Sequence, residues 1–153
     1  MCPTTPPKEH TYQIVPVDSI AQDAIRGLYD SVGWSAYTQD IHKLMAAIEG
    51  SDFLVAAKQE DNLIGLSRAI SDDASVVYIQ DILVQPSHQG RGIGKELVKA
   101  VLSRYAHVRQ KVLLTDDRPE QLQFYASLGF SNTRSLEKTP LNAFVIIEGV
   151  ELS

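Results

Sequence analysis

A glycine-rich turn between an apolar strand-like run and the most regular helical pattern constrains this chain more than any other feature. It reads Gln-Gly-Arg-Gly-Ile-Gly-Lys over residues 89–95. Glycine lets the backbone adopt dihedral angles closed to other residues and lets a ligand approach the amides. The first N–H groups of a helix lack intrahelical partners and carry partial positive charge. The segment therefore predicts an anion site, or, more simply, a turn that only joins strand to helix.

The spacing of the glycines excludes two common nucleotide motifs. A dinucleotide fingerprint needs G-x-G-x-x-G, and Lys95 stands where its third glycine belongs. A Walker loop needs a glycine at the position of Gln89 and a hydroxyl residue at that of Glu96. If the turn binds phosphate, it follows neither pattern.

Hydrophobic periodicity on both sides of the turn predicts an α/β chain. Helical patterns cover residues 18–32, 39–49, 92–107 and 119–128, with an aromatic connection at 34–37 and Thr38 as the cap of the second helix. Strand patterns cover residues 12–15, 53–58, 63–70, 76–84, 111–115, 130–133 and 143–148. Because the helix after the three consecutive strands must cross over to a neighbouring strand, the sheet is expected to be mixed.

Length and charge limit the remaining classes. The 153 residues suit one domain, here 12–153, after a loose proline-rich tail at 1–11. The net charge of −5 argues against a nucleic-acid partner bound by phosphate neutralisation. The single cysteine and the spacing of the histidines support no metal site. The chain has neither a signal-like start nor an apolar run that could span a membrane, so we expect a cytoplasmic protein.

Two motifs carry a resemblance to a known family. Residues 79–94 resemble the acetyl-CoA-binding stretch of the GCN5-related N-acetyltransferases (GNAT), whose Gln/Arg-x-x-Gly-x-Gly/Ala pattern is matched by Gln89, Gly92 and Gly94. The second signature, Phe-Tyr-x-x-x-Gly-Phe, is matched by residues 124–130. The resemblance covers about 12–148. It implies a single-domain α/β (α+β) GNAT fold, with a mixed, mostly antiparallel sheet of six to seven strands and about four helices.

The resemblance also implies a cofactor site for acetyl-CoA. Backbone amides of the turn would hold its pyrophosphate; these belong to Gln89, Gly90, Arg91, Gly92, Ile93, Gly94 and Lys95. The strand before the turn would pair with the pantetheine arm through Ile82, Leu83 and Val84, and one of its N–H groups would face the thioester oxygen. Phe124 is included by its place in the second motif. On residue type alone, Arg91 and Lys95 are equally well read as solvated charges.

Catalytic roles follow from the same resemblance. Tyr125 matches the family tyrosine that protonates the coenzyme A thiolate, although on its own it reads as a core tyrosine. Relatives often carry a glutamate base where Gln80 stands here. Asp81 could serve as base through a water or could be structural, and strand alternation would turn it away from Gln80. Arg118 replaces a common family asparagine, which leaves coenzyme contacts at that corner open.

The acceptor is less constrained than the cofactor. Candidate acceptor residues are Tyr29, Trp34, Tyr37, Tyr78 and Gln80. A resemblance to the subgroup with plant and cyanobacterial arylalkylamine (serotonin-type) N-acetyltransferases is carried by Gly33-Trp34, Lys43-Leu44, Ala47 and Ser51, and by the Ile-x-Asp-x-Leu-Val strand at 79–84. Aromatic side chains suit an aromatic amine as acceptor. The same rings could equally fill a core edge. We expect acetyl transfer to a primary amine of a small molecule, with a protein lysine or N-terminus, or a non-catalytic acyl-CoA-binding module, as alternatives. A homodimer is possible.

Overall fold

The structure, a computed structural model, describes residues 11–153. The predicted tail at 1–11 therefore lies outside the described residues except for its last position. Strands are β1 (Gln13–Val17), β2 (Phe53–Gln59), β3 (Asn62–Ser71), β4 (Val76–Val84) and β5 (Gln110–Val112). Helices are α1 (Gln22–Ser31), α2 (Ser35–Thr38), α3 (Ile41–Glu49), α4 (Ile93–Arg104) and α5 (Pro119–Ser127), and short 3-10 turns cover Pro86–His88 and Thr133–Ser135.

The strands form one sheet in the order β1-β2-β3-β4-β5. The first three pairings are antiparallel, and β4 pairs with β5 in parallel. Since α4 links β4 to β5, it is the crossover that a parallel pair needs. The predicted mixed, mostly antiparallel sheet is confirmed, and the helix number is close to the predicted one.

The predicted number of strands is wrong. The described residues hold five strands rather than six or seven. The segments 130–133 and 143–148 pair with no described strand, and the latter leaves Phe144 93% and Ile146 89% exposed. Residues 143–147 are all apolar and include three β-branched residues, which favours a strand, but a strand also needs a hydrogen-bonded neighbour. Pattern alone therefore overcounted the sheet.

The two faces of the sheet carry different helices. Leu66 of β3 packs with α1 and α3 in a core cluster. Its neighbour Gly65 faces Leu97 of α4, because successive residues of a strand point to opposite faces. The cluster on the α1 face comprises Ile25, Leu28, Tyr29, Ile41, Leu44, Ile48, Leu54, Leu66 and Leu83.

The start of α3 differs from the prediction. Thr38 is the last residue of the short helix α2, which covers most of the predicted aromatic connection. The cap of α3 is Asp40, whose carboxylate accepts a hydrogen bond from the Lys43 N–H at 3.2 Å. Both residue types are good caps, so the sequence could not choose between them.

The chain divides into two compact units, one ending at Leu114 and the other covering Thr115–Ser153. The first contains the sheet and α1–α4, and the second contains α5. The prediction of a single domain over 12–153 stays a prediction.

Gly65 provides a test of the packing between sheet and α4. A Cβ there would lie 3.1 Å from a Leu97 methyl and 3.2 Å from both Ala57 Cβ and the Leu83 carbonyl oxygen. We expect Gly65→Ala to lower the free energy of unfolding by about 1–3 kcal/mol through overpacking. The control is Gly27→Ala in α1, where nothing lies within 4 Å; it should raise stability by up to about 1 kcal/mol. Equal urea midpoints for the two variants would contradict this packing.

Candidate active site

The glycine-rich turn presents a row of backbone donors at the start of α4. Gly90 has φ +80° and Gly92 φ +81°, and Gly92 caps the helix. At neither position would a Cβ meet any atom within 4 Å, so the left-handed dihedral angle, and not a lack of space, favours glycine there. Among the described residues, the N–H groups from Gly90 to Lys95 find no acceptor. With the helix dipole behind them, these donors suit an anion.

Hydrogen bonds of Gln89 and His88 to other protein groups hold the start of the turn. The amide of Gln89 donates to the Val84 carbonyl at 3.0 Å, while its backbone N–H bonds to the Pro86 carbonyl. His88 is half-buried, with ring nitrogens 2.8 Å from the Ser87 hydroxyl and 2.8 Å from the Gln59 amide oxygen. Gln89 therefore holds the turn rather than offering its own N–H to a ligand.

The outer edge of β4 opens just before the turn. β5 pairs only with Val76–Tyr78, so the rest of β4 has no partner on that side among the described residues. Gln85 N–H donates to the Ile64 carbonyl at 2.7 Å, and hydrogen-bonded pairs alternate in an antiparallel ladder. The backbone groups of Leu83 therefore face β3, and those of Ile82 and Val84 face outward. Of the three predicted pantetheine partners, Ile82 and Val84 have available N–H groups and Leu83 does not.

A bulge interrupts β4 at Asp81. Ser67 pairs with Ile82 and Arg68 with Gln80, which leaves Asp81 as the extra residue, with φ +58°. A left-handed angle costs a residue with a side chain about 1–2 kcal/mol. The expectation that Gln80 and Asp81 point to opposite faces is wrong, because the bulge breaks the alternation. Their side chains touch, with the Gln80 amide 3.2 Å from Asp81 Oδ1.

Asp81 is the centre of a buried polar network. Its Oδ2 accepts from Arg68 Nε at 2.9 Å and from the Tyr29 hydroxyl at 2.8 Å. The side chains of Arg68 and Asp81 are only 8% and 3% exposed, and Arg68 also reaches Ser51 Oγ at 3.4 Å. The carboxylate thus neutralises a buried guanidinium. This geometry favours the structural role over the role of a base.

The predicted acceptor aromatics gather beside this network. Tyr29, Trp34 and Tyr37, which we call the aromatic wall, have ring centroids 5.7–5.9 Å apart. Tyr29 is buried, Trp34 half-buried and Tyr37 41% exposed. Burial and then the Asp81 charge raise the pKa values of Tyr37 and Tyr78. Burial and the contact with Asp81 also raise the pKa of Tyr29. The phenols are therefore neutral donors at physiological pH.

The second unit holds the other predicted catalytic residue. The Tyr125 ring packs edge-on against Phe124 and Phe130, at centroid distances of 5.0 and 5.9 Å. Gly129, with φ +94°, turns the chain so that Phe130 N–H bonds to the Tyr125 carbonyl at 3.1 Å. Burial, and secondarily the Asp116 charge, raise the pKa of Tyr125 to about 12. Tyr125 is therefore a protonated phenol at physiological pH.

Three further predictions concern Arg118, metal binding and membrane spans. Arg118 caps α5 and pairs with Asp116 at 2.9 Å, both half or more exposed. Among residues 11–153, no group of three histidines, cysteines or carboxylates could hold a metal ion. In the same range no helix is long and apolar enough to cross a membrane.

Sequence reasoning missed Arg68. A signal was available, because this arginine is the only charged residue in the mostly apolar run Leu63–Ile70. A charge in the middle of a buried strand requires a counter-charge, and Asp81 on the next strand is the acidic residue that meets it.

Comparison with known proteins identifies the domain type. The family model for the acetyltransferase (GNAT) domain matches residues 16–139. An uncharacterized N-acetyltransferase, ycf52, of Gracilaria tenuistipitata var. liui is 35% identical, over 67% of this chain and 58% of its own length. GCN5-related N-acetyltransferase 2, chloroplastic, of Arabidopsis thaliana is 34% identical, over 69% of this chain and 48% of its own length. Histone acetyltransferase TAP1 of Glycine max is 32% identical, over 69% of this chain and 50% of its own length.

A solved structure has the same fold over nearly its whole length. It is a GNAT-family acetyltransferase of Streptococcus pneumoniae TIGR4, with a TM-score of 0.73, 27% identity and coverage of 88% of this chain and 98% of that one. The chain spans only 48–58% of the length of the three curated relatives named above. One of those relatives is named as chloroplastic, so the cytoplasmic location stays a prediction.

The buried ion pair gives a direct stability test. Asp81→Ala leaves the Arg68 guanidinium buried without a counter-charge, so we expect unfolding free energy to fall by about 3–5 kcal/mol. Asp73→Ala is a matched control. Asp73 also has a left-handed φ, of +59°, and an ion pair, with Arg104, but its side chain is 57% exposed. In guanidinium chloride denaturation, the control should lose far less unfolding free energy than Asp81→Ala. Similar losses for both variants would mean that burial of the pair is unimportant.

Proposed function

Because the chain belongs to the GNAT acetyltransferase family, we propose that it transfers an acetyl group from acetyl-CoA to a primary amine of a small molecule, within a ternary complex. Members of this family are acetyltransferases that use acetyl-CoA, which agrees with the enzyme class and cofactor predicted from the sequence. The observation that carries the proposal is the row of N–H groups from Gly90 to Lys95, which find no acceptor among residues 11–153. In the same residues, the edge of β4 that precedes the turn has no partner strand beyond Tyr78.

These residues fit the cofactor. The open space at Gly90 and Gly92 leaves room for a diphosphate against the backbone N–H groups. The outward N–H groups of Ile82 and Val84 can pair with the amides of the pantetheine arm, as a strand would. We assign Ile82 N–H to the thioester carbonyl oxygen, where it would stabilise negative charge during acyl transfer. Arg91, Lys95 and Phe124 stay secondary candidates from the family resemblance.

The reaction needs two proton transfers, one from the amine and one to the departing thiolate. An amine attacks only after losing its proton. Asp81 is engaged by Arg68 and Tyr29, so we propose that it acts structurally and not as the base. We propose Tyr125 as the acid that protonates the departing thiolate. Its raised pKa keeps the phenol protonated. Because the pKa of a thiol is near 8.5, below that of the phenol, proton transfer to the thiolate is uphill but accessible.

The acceptor class follows from the aromatic wall. Trp34 and Tyr37 are the accessible members of the wall. Tyr78 and Gln80 lie toward the Asp81 carboxylate, beside the wall. Stacking and cation–π contact would favour an aromatic amine, and the net charge of −5 would steer cations. A lysine side chain of a protein is the second candidate, because one relative is named a histone acetyltransferase.

The test is release of free thiol from acetyl-CoA against a panel of aromatic amines, polyamines and lysine peptides. Turnover that is fastest with arylalkylamines supports the proposal. Turnover only with peptides moves the function to a protein acetyltransferase, and binding of acetyl-CoA without turnover on any acceptor indicates an acyl-CoA-binding module.

Gly92→Ala tests the cofactor site. A side chain at φ +81° strains the turn and disturbs its donors, so we expect the dissociation constant for coenzyme A to rise about tenfold or more. Gly149→Ala is the control, since it has a similar φ, of +78°, and equally open space. Calorimetry should find its affinity unchanged. Wild-type affinity for Gly92→Ala would remove the turn from the binding site.

Tyr125→Phe tests the acid. The variant keeps the ring and its packing, so acetyl-CoA binding should persist while kcat falls by about 100-fold or more. With a pKa of about 12, the phenol stays protonated to roughly pH 11. The wild-type rate should therefore show no loss from Tyr125 ionisation between pH 7 and about 10. An unchanged kcat would exclude Tyr125 from the mechanism.

A further inference from the structure

Tyr29 belongs to two parts of the site at once. Its ring packs against both Trp34 and Tyr37 of the aromatic wall, at 5.9 and 5.7 Å. Its hydroxyl donates to Asp81 Oδ2 at 2.8 Å. The ring itself is fully buried, so it is not an accessible surface for an acceptor. Tyr29 instead connects the wall with the bulge of β4.

The bulge controls the donor that follows it. Asp81 is the extra residue, with a left-handed φ of +58°, and the next N–H along the chain is that of Ile82. A residue in this region persists only where its surroundings hold it. A change in the Asp81 backbone would rotate the peptide that carries the Ile82 N–H, since the two share one peptide plane.

Two side chains hold the Asp81 carboxylate from different elements. Arg68 Nε approaches from β3 at 2.9 Å and is itself in reach of Ser51 after α3. Tyr29 approaches from α1, on the helical layer over the sheet. Arg68 supplies the compensating charge, whereas Tyr29 adds a directional bond without charge. Loss of the Tyr29 hydroxyl therefore loosens the bulge while the buried ion pair remains.

We propose that Tyr29 and Arg68 are positioning residues, which hold Asp81 so that the bulge aims the Ile82 N–H at the carbonyl oxygen of the acetyl thioester. Tyr29 in addition links this contact to the aromatic wall, because its ring packs against Trp34 and Tyr37. The inference rests on the proposed function, because it names residues that orient the donor assigned there.

Tyr29→Phe separates positioning from folding, because it keeps the ring and the ion pair. Acetyl-CoA labelled with carbon-13 at the acetyl carbonyl reports the hydrogen bond to that oxygen in the binary complex, without an acceptor. We expect its infrared stretch to move toward that of free acetyl-CoA. In the protein alone, amide exchange should quicken over residues 80–84. We expect kcat to fall about 10- to 100-fold, while the dissociation constant of acetyl-CoA stays within about twofold.

Tyr105→Phe is the matched control. Tyr105 is also a buried tyrosine, 1% exposed, but it packs against Phe53 and Arg104, away from the bulge. In the Tyr105→Phe variant, the carbonyl stretch of bound acetyl-CoA should match that of the wild type. Amide exchange over residues 80–84 and kcat should also be unchanged. If both variants change these readouts equally, Tyr29 is a packing residue only and the inference is overturned.

A second variant covers a failure of Tyr29→Phe to fold. Arg68→Lys keeps the positive charge but replaces the fork that spans Asp81 and Ser51 with a single point donor. It should also shift the carbonyl stretch toward the free value. An unchanged stretch and kcat in the folded variants overturns the inference, even where the wild type binds and turns over. A wild type that does not bind acetyl-CoA overturns the proposed function instead.

Discussion

The buried ion pair between Arg68 and Asp81 is the interaction on which the arrangement of the first unit depends. Burial of either charge alone would cost several kcal/mol, and together they hold β3, β4 and, through Tyr29, α1 in one geometry. The pair also stabilises a left-handed residue inside a strand. A polar contact in the core thereby determines the shape of the strand edge that the proposed chemistry uses.

Local patterns predicted most of this architecture. The run at 89–95 indicated a helix start with free donors, and the observed φ angles of Gly90 and Gly92 explain why glycine stands there. Periodicity located α4 and the hairpin of β2 and β3. These elements are predictable because their signals lie within a few residues of each other. The mostly apolar run at 143–148 was an equally local signal, but strand pairing depends on a neighbour that the pattern does not specify.

The interior of the site was predictable only in part. The aromatic wall was found as a set of residue types, yet the division of labour within it depends on burial, which differs sharply between Tyr29 and Tyr37. The bulge left no signal in residue type, because aspartate tolerates a left-handed angle without requiring it. Regular alternation was the best available prior for β4, and it failed at Asp81, where the strand bulges.

An open strand edge is a hazard as well as a binding surface, since unpaired backbone groups invite another chain to add itself. β4 limits this exposure in two ways. β5 covers its first residues, Val76–Tyr78, and the irregularity at Asp81 interrupts the remainder. An intruding extended segment could not stay in register across such a kink, whereas a flexible ligand with few amides can. The distortion thus disfavours the addition of another extended chain along this edge.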